Sequence, residues 1–230
     1  MISAVIVAAG RGTRMGPNID KLFLDVAGRP VVAHTWRRFA AAREVDEVIL
    51  VVRAGMEDAF HELAPANAGG KPYRLVPGGA ERQDSVWNGV QAVAPGTEIV
   101  LIQDGARPCT SEALISATIA AARETGAAVA AQAITDTIKE SRDGRLIERT
   151  LDRSQLWVVQ TPQTFRVEII RRALSEVRQR GLLVTDDTAA CELIGQPVRL
   201  VVSSQPNPKV TRPEDLPCIE ALLRCLAAQA

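Results

Sequence analysis

Cysteine, histidine and aromatic residues are all scarce in this 230-residue chain, and neither sign of charge dominates it. The four cysteines (Cys109, Cys191, Cys218 and Cys225) form no C-x-x-C pair and no zinc-ligand spacing, and His34 and His61 stand apart from them. A disulfide framework or a zinc centre is therefore not indicated, and reduced, non-ligand cysteines in a cytoplasmic protein are expected. The 27 basic residues balance 27 acidic ones. No whole-surface basic field invites nucleic acid or an anionic membrane, although a local basic pocket stays open. The N-terminal apolar run is too short to span a membrane. With no basic segment before it and no cleavage-type region after it, no signal peptide is expected. A Ser/His/Asp or Cys/His set for nucleophilic catalysis is also missing. Lysine is rare: only Lys21, Lys71, Lys139 and Lys209 stand against 23 arginines.

What remains is an alternation of strand and helix patterns. "SAVIVAAG", "DEVILVV" and "EIVLIQDGARP" are continuous apolar runs ending in glycine or polar residues, as in strands buried on both faces. Between them, 31–45 has helical spacing through Val32, Trp36, Phe39 and Ala40. A short helix is expected near 56–63, with a loop over 65–72. "YRLVPGG" reads as strand then turn, and 81–93 as a helix with Val86, Val90 and Val93 on one stripe. This alternation predicts an α/β protein with a mainly parallel sheet covered on both faces, three layers in a Rossmann-like arrangement. From about residue 134 it weakens. The polar stretch through "WVVQTPQTF" reads as extended segments around a turn at "RDGR", a β-hairpin arm inserted at about 134–156 in a single domain spanning 1–230. Helices at 167–181 and 185–195, a strand at 198–204, a loop at 207–216 and a closing helix complete the chain.

Ligands of parallel sheets bind outside the carboxyl ends of the strands. Two loops, "GRGTRMGPNIDK" and "DGARP", are expected on that edge together. The first is neither a Walker P-loop nor a dinucleotide loop in register, since Met15 stands where the third glycine of G-x-G-x-x-G belongs. Arg11, Arg14 and Lys21 instead place cations beside glycine amides, which suits a triphosphate; a plain glycine turn with solvated arginines is the competing reading. "PGGAERQDSVWNG" offers a glycine pair where a flat base can approach and Ser85 to read its edge. Asp104 at a strand end suits ribose hydroxyls or a magnesium ion, Arg107 suits phosphate, and Lys209 sits on a constrained loop.

The ordered strings "AAGRGTRMG", "GGAERQDSV", "DGARP", "TDT", "LDR", "QTPQTF", "TDD" and "KVTRPEDL" run across nearly the whole chain. Together they resemble the 2-C-methyl-D-erythritol 4-phosphate cytidylyltransferases of the non-mevalonate isoprenoid pathway, members of a broader nucleotidyltransferase class. The resemblance implies transfer of CMP from CTP to methylerythritol phosphate with release of pyrophosphate and use of Mg2+. It implies that Ala8, Ala9, Gly10, Gly12, Gly79, Ser85, Asp104 and Gly105 bind the nucleotide, Asp104 also lying at the metal. Arg14 and Lys21 match the cations that stabilise charge as pyrophosphate leaves. Arg107, Thr185 and Lys209 fall where the second substrate meets the α-phosphate. Thr137 and Arg153 match an arm that reaches the partner's site in a homodimer, so that Arg153 and Lys209 hold the attacking phosphate. The chain departs from the family pattern at Val7, Ala80, Gln103, Gly105 and Asp20, whose charge is expected to offset part of that of Lys21. Ribitol-5-phosphate cytidylyltransferase, sugar-1-phosphate nucleotidyltransferase, a nicotinamide-dependent oxidoreductase and a non-catalytic nucleotide-binding regulator remain as alternatives.

Overall fold

The computed structural model describes residues 1–10 and 20–228. Gly12 and Arg14, with Arg11, lie outside the described residues. Strand β1 (Ile2–Ala8) is apolar on both faces. A small hairpin of β2 (Asp25–Val26) and β3 (Arg29–Pro30) leads into α1 (Val31–Ala41), shorter at its C-terminus than the sequence pattern suggests. After β4 (Glu47–Val52), helix α2 runs over Glu57–Asn67 and passes through Pro65, where a loop was expected. Proline there removes one helical N–H, and the Asn67 side chain donates to the Leu63 carbonyl at 2.7 Å in the same turn. The alternation continues with β5 (Tyr73–Pro77), α3 (Arg82–Gln91) and β6 (Ile99–Asp104). The alanine-rich stretch that follows is split by Gly126 into α4 (Glu112–Thr125) and β7 (Ala127–Ala133). Ser111 caps the helix at its start, and the left-handed Gly126 ends it.

Next come β8 (Lys139–Glu140) and β9 (Arg149–Thr150), which pair only with each other. The intervening turn is organised by Asp143, whose Oδ1 accepts from the Arg145 and Leu146 amides. Its position matches the expected "RDGR" turn. Strand β10 (Trp157–Arg166), α5 (Val167–Gln179), α6 (Asp187–Leu193), β11 (Arg199–Val202) and α7 (Asp215–Ala228) complete the chain.

The central sheet has seven strands in the order β11-β7-β10-β6-β1-β4-β5. β1 pairs in parallel with both β4 and β6, β4 with β5, and β7 with β11. β10 runs antiparallel between β6 and β7. The fold is thus the mainly parallel α/β sheet that the alternation predicts, with one correction. "WVVQTPQTF" is a sheet strand, and the separate hairpin is confined to the segment before it.

Alternate residues of the strands face two apolar layers. Ala4, Ile6, Leu50 and Leu101 pack with Trp36, Phe39, Phe60, Ile115 and Ile219 from α1, α2, α4 and α7. Val5, Ile49, Val51 and Ile102 pack with Val86, Val90, Ile170 and Leu174 from α3 and α5. Burial on both faces is why these strands read as unbroken apolar runs rather than as alternating ones.

Candidate active site

Chain order places β4 and β5 on one side of β1 and β6 on the other, a switch in strand order between β1 and β6. Such a switch point opens a crevice at the carboxyl edge of the sheet. The register pairs Val7 with Asp104, and the Gly105 amide donates to the Val7 carbonyl at 3.0 Å. A cleft of about 520 Å³ opens there, within the usual range for small-molecule sites. It brings together Ala9, Gly10, Lys21, Gly79, Ser85, Asp104, Gly105 and Lys209 of the residues singled out in the sequence.

At its centre is the Asp104 carboxylate, buried at the end of β6. Its Oδ2 accepts from Lys209 Nζ at 2.7 Å and lies 3.7 Å from Arg107 Nε, while Oδ1 accepts from Arg82 Nε at 3.4 Å. Burial opposes ionisation of Asp104, but Arg82, Lys209 and Arg107 overcome it and hold its pKa down at about 2. A folded-state pKa below the unfolded one stabilises the protein above the unfolded value, near 4, and that contribution fades as the pH falls towards 2. Asp104→Asn is accordingly expected to lose about 2 kcal/mol of stability at neutral pH. The deficit against wild type, read by urea unfolding, should shrink steadily below pH 4. A deficit that stays constant with pH would contradict this assignment of charge.

Three loops converge on this carboxylate and are tied to one another by main-chain groups. Lys21 donates to the Val210 carbonyl at 2.9 Å, and the Val210 amide donates to the Ala106 carbonyl at 2.8 Å. Lys21 and Lys209 are therefore set by the same short loop, although 188 positions separate them in sequence (209 − 21). Asp20 is bonded through Oδ2 to Arg53 at 2.8 Å and through Oδ1 to the Leu22 amide at 3.1 Å. Its charge is thus directed to Arg53, another residue of the cleft wall.

The glycine pair works by close approach. A Cβ on Gly78 would lie 2.3 Å from that of Ala9, and one on Gly79 would lie 2.2 Å from Asp84 Cβ. The turn therefore packs directly against the loop leaving β1, and a side chain at either position would displace it. Ser85 Oγ accepts from the Gly79 amide at 3.0 Å and donates to the Glu81 carbonyl at 3.3 Å. The hydroxyl holds this turn and retains one acceptor lone pair for a ligand. Glu81 and Asp84 form a capping box at the start of α3, where the helix dipole places its positive end at the cleft.

The remaining candidates lie elsewhere in this chain. Ala8 is buried beneath the cleft. Arg107 is also buried, donating from Nη1 to the Asn207 carbonyl at 2.7 Å, so it braces Asp104 from behind rather than lining the opening. Thr185 is exposed just before the Asp186 cap of α6. Thr137 and Arg153 are exposed at the root of the hairpin, where Arg153 donates to the Thr135 carbonyl. Sequence reasoning missed Arg53 and Arg82, both in the cleft wall. Arg82 lies inside the quoted "GGAERQDSV", and its place in the first turn of a helix beginning at the sheet edge was the available signal.

Among the described residues no group of three or more His, Cys, Asp and Glu is arranged to hold a metal ion. The Asp104 carboxylate at the cleft, with Arg82, Lys209 and Arg107 about it, fits the way Mg2+ is usually held: by one or two carboxylates, waters and substrate phosphates.

A family model described as 2-C-methyl-D-erythritol 4-phosphate cytidylyltransferase matches residues 2–225. A relative of that name from Pelotomaculum thermopropionicum is 46% identical over 225 residues, covering 97% of this chain and 94% of its own. Another, from Geobacillus kaustophilus, is 42% identical over 226 residues, covering 98% of each. Among solved structures, the 4-diphosphocytidyl-2C-methyl-D-erythritol synthase of Anaerococcus prevotii superposes with a TM-score of 0.85 at 34% identity. That match covers 97% of this chain and 96% of the other. With a cation-ringed carboxylate at the switch point and matches of this length and identity, the chain belongs to the 2-C-methyl-D-erythritol 4-phosphate cytidylyltransferase family.

Proposed function

We propose that this protein is the nucleotidyltransferase that moves CMP from CTP to 2-C-methyl-D-erythritol 4-phosphate, giving 4-diphosphocytidyl-2-C-methyl-D-erythritol and pyrophosphate. The observation that carries the reading is the Asp104 carboxylate at the switch point, with Lys209 and Arg82 bonded to it and Lys21 set by the same loop as Lys209. A phosphate oxygen of the acceptor attacks the α-phosphorus of CTP in line, and the bond to the pyrophosphate oxygen breaks. No side-chain nucleophile is required, so the protein's contribution is orientation and charge stabilisation.

The cytidine lies over the Gly78–Gly79 turn beside Ser85, its ribose towards Asp104. Ala9 and Gly10 meet the nucleoside, Gly12 and Arg14 take the phosphates, and Lys21 faces the charge that grows on the departing pyrophosphate. Lys209 leaves Asp104 to hold the attacking phosphate. Asp104 keeps a counter-ion in Arg107 when this happens, so the exchange leaves no bare buried carboxylate. Asp104 would hold Mg2+, which would supply neutralisation of the triphosphate charge.

The proposal extends to a homodimer in which the arm at about 134–156, inserted in one domain spanning 1–230, brings Thr137 and Arg153 to the partner's site. Leu146 and Ile147 are 73% and 65% exposed near its tip, and Val158 and Val159 are exposed on the strand that returns from it. Exposed apolar side chains at the arm tip and on the returning strand favour a protein partner. The four cysteines are free, in keeping with a cytoplasmic enzyme, and no described helix is long and apolar enough to cross a membrane.

Pyrophosphate release measured side by side tests the reading. The acceptors are methylerythritol phosphate, ribitol 5-phosphate and hexose 1-phosphates, each with CTP and UTP. The expected outcome is a clear preference for CTP with methylerythritol phosphate. Preferential turnover of ribitol 5-phosphate or a sugar 1-phosphate would replace the acceptor, and nucleotide binding without turnover of any pair would remove the catalytic reading.

A further inference from the structure

Arg82 is shared by two carboxylates from different elements. Its Nε reaches Asp104 at 3.4 Å and its Nη2 reaches Asp187 at 2.9 Å. Asp104 and Arg82 line the cleft, whereas Asp187, the first residue of α6, lies behind them and is fully buried. The Asp187 amide is held by Gln163 Oε1 at 3.0 Å, and Gln163 in turn donates to Asp186 at 2.9 Å. Its Oδ1 has no hydrogen-bond partner among the described residues. A buried carboxylate with one oxygen unbonded is an expensive way to fasten a helix, and an apolar residue would fasten it more cheaply. What the carboxylate does provide is a counter-ion for Arg82 that no ligand in the cleft can take away.

Asp104 differs in this respect. It faces the cleft, and a nucleotide that uses it must draw it away from its resting cations. The Arg82–Asp104 bond is the longer of the two made by Arg82 and yields first, while the bond to Asp187 stays. We infer that Asp187 is a positioning residue for nucleotide binding: it retains Arg82 in the cleft wall and so lets Asp104 turn to the nucleotide. Without the Asp187 charge, Asp104 is the carboxylate left to Arg82 among the described residues, and arginine and nucleotide compete for it. The inference rests on the reading of the cleft as the CTP site.

Steady-state kinetics of Asp187→Asn, which keeps the side-chain volume, tests it. The expected result is a KM for CTP raised about tenfold, the size of one lost charge-assisted contact, with the KM for methylerythritol phosphate within about twofold of wild type. In an Arg82→Ala background the same substitution should add almost nothing, because the residue acts through Arg82. Equal increases in both KM values, or full additivity with Arg82→Ala, would overturn the inference in favour of a structural role. Arg82→Lys covers the case in which Asp187→Asn does not fold, since one ammonium cannot fork between two carboxylates. It too should raise the KM for CTP selectively, and an unchanged KM for CTP would count against the inference. Lys21→Ala and Ser85→Ala run in parallel separate the two levels. If they impair CTP use and Asp187→Asn does not, only the inference fails; if they too leave it unchanged, the cleft reading fails with it.

Discussion

Lys209→Ala is expected to lower turnover by about 10²–10³-fold, the usual size of losing one preorganised electrostatic contact to a transition state. Lys209 is bonded to Asp104 at rest and, in the proposed reaction, passes to the attacking phosphate, so its removal deprives the reaction of a cation at the forming bond. Its side chain is only partly buried, and Asp104 keeps Arg82 and Arg107 nearby, so the variant should fold. Lys21→Ala should show a loss of similar size, because Lys21 is set by the adjacent residue, Val210, through its carbonyl. Arginine at position 209 is not expected to restore the rate. A planar fork spreads its charge over several donors, whereas the site places one compact ammonium 2.7 Å from a carboxylate oxygen. Single-turnover measurements with saturating substrates give the comparison directly. Folded Lys209→Ala protein working near the wild-type rate would remove the residue from the chemistry.

Mixing two inactive variants should restore activity if the arm works across a dimer. Arg153→Ala would spoil the arm and Lys21→Ala the cleft, leaving each homodimer without a complete site. In a two-fold dimer that re-equilibrates at random, half of the molecules are mixed, and each mixed dimer has one site built from an intact cleft and an intact arm. About a quarter of wild-type activity is then expected for an equal mixture after subunit exchange. The location of Arg153 in this chain agrees with such a division: it is exposed at the root of the hairpin and is not part of the cleft lining. No recovery after demonstrated exchange would place the arm in service of its own subunit or of none.

The strands that carry the cleft were legible because burial on both faces writes them as plain apolar runs, and their parallel order then placed two loops on one edge. β10 was legible as an extended segment, but its place inside the central sheet was not, for the opposite reason. Its inner residues Gln160, Thr161, Gln163 and Thr164 are buried but polar, and Pro162 interrupts the run, so no apolar pattern marks a buried sheet strand. Their hydrogen bonds explain much of the burial: Asn207 meets Gln160 and Thr161, the Asp104 amide meets Thr161, and Gln163 meets Asp186. Arg82 was hidden differently. It is one of 23 arginines, and its partners Asp104 and Asp187 lie 22 and 105 positions away, so no local spacing singles it out. Ser85 was found, but its hydroxyl is already engaged in holding the glycine turn, a use that residue type alone does not disclose.

The place of β10 also orders events during synthesis. β1, β4, β5 and β6 form a contiguous half of the sheet that can pair as soon as it leaves the ribosome. β7 cannot join them, because its neighbours β10 and β11 both come later in the chain. Until residue 166 has emerged, β7 is a strand with two open edges, and the arm is the stretch of chain made while it waits. The length of the arm therefore sets how long the nascent protein carries an unpaired, apolar strand, and lengthening it should raise aggregation during expression before it alters the finished fold.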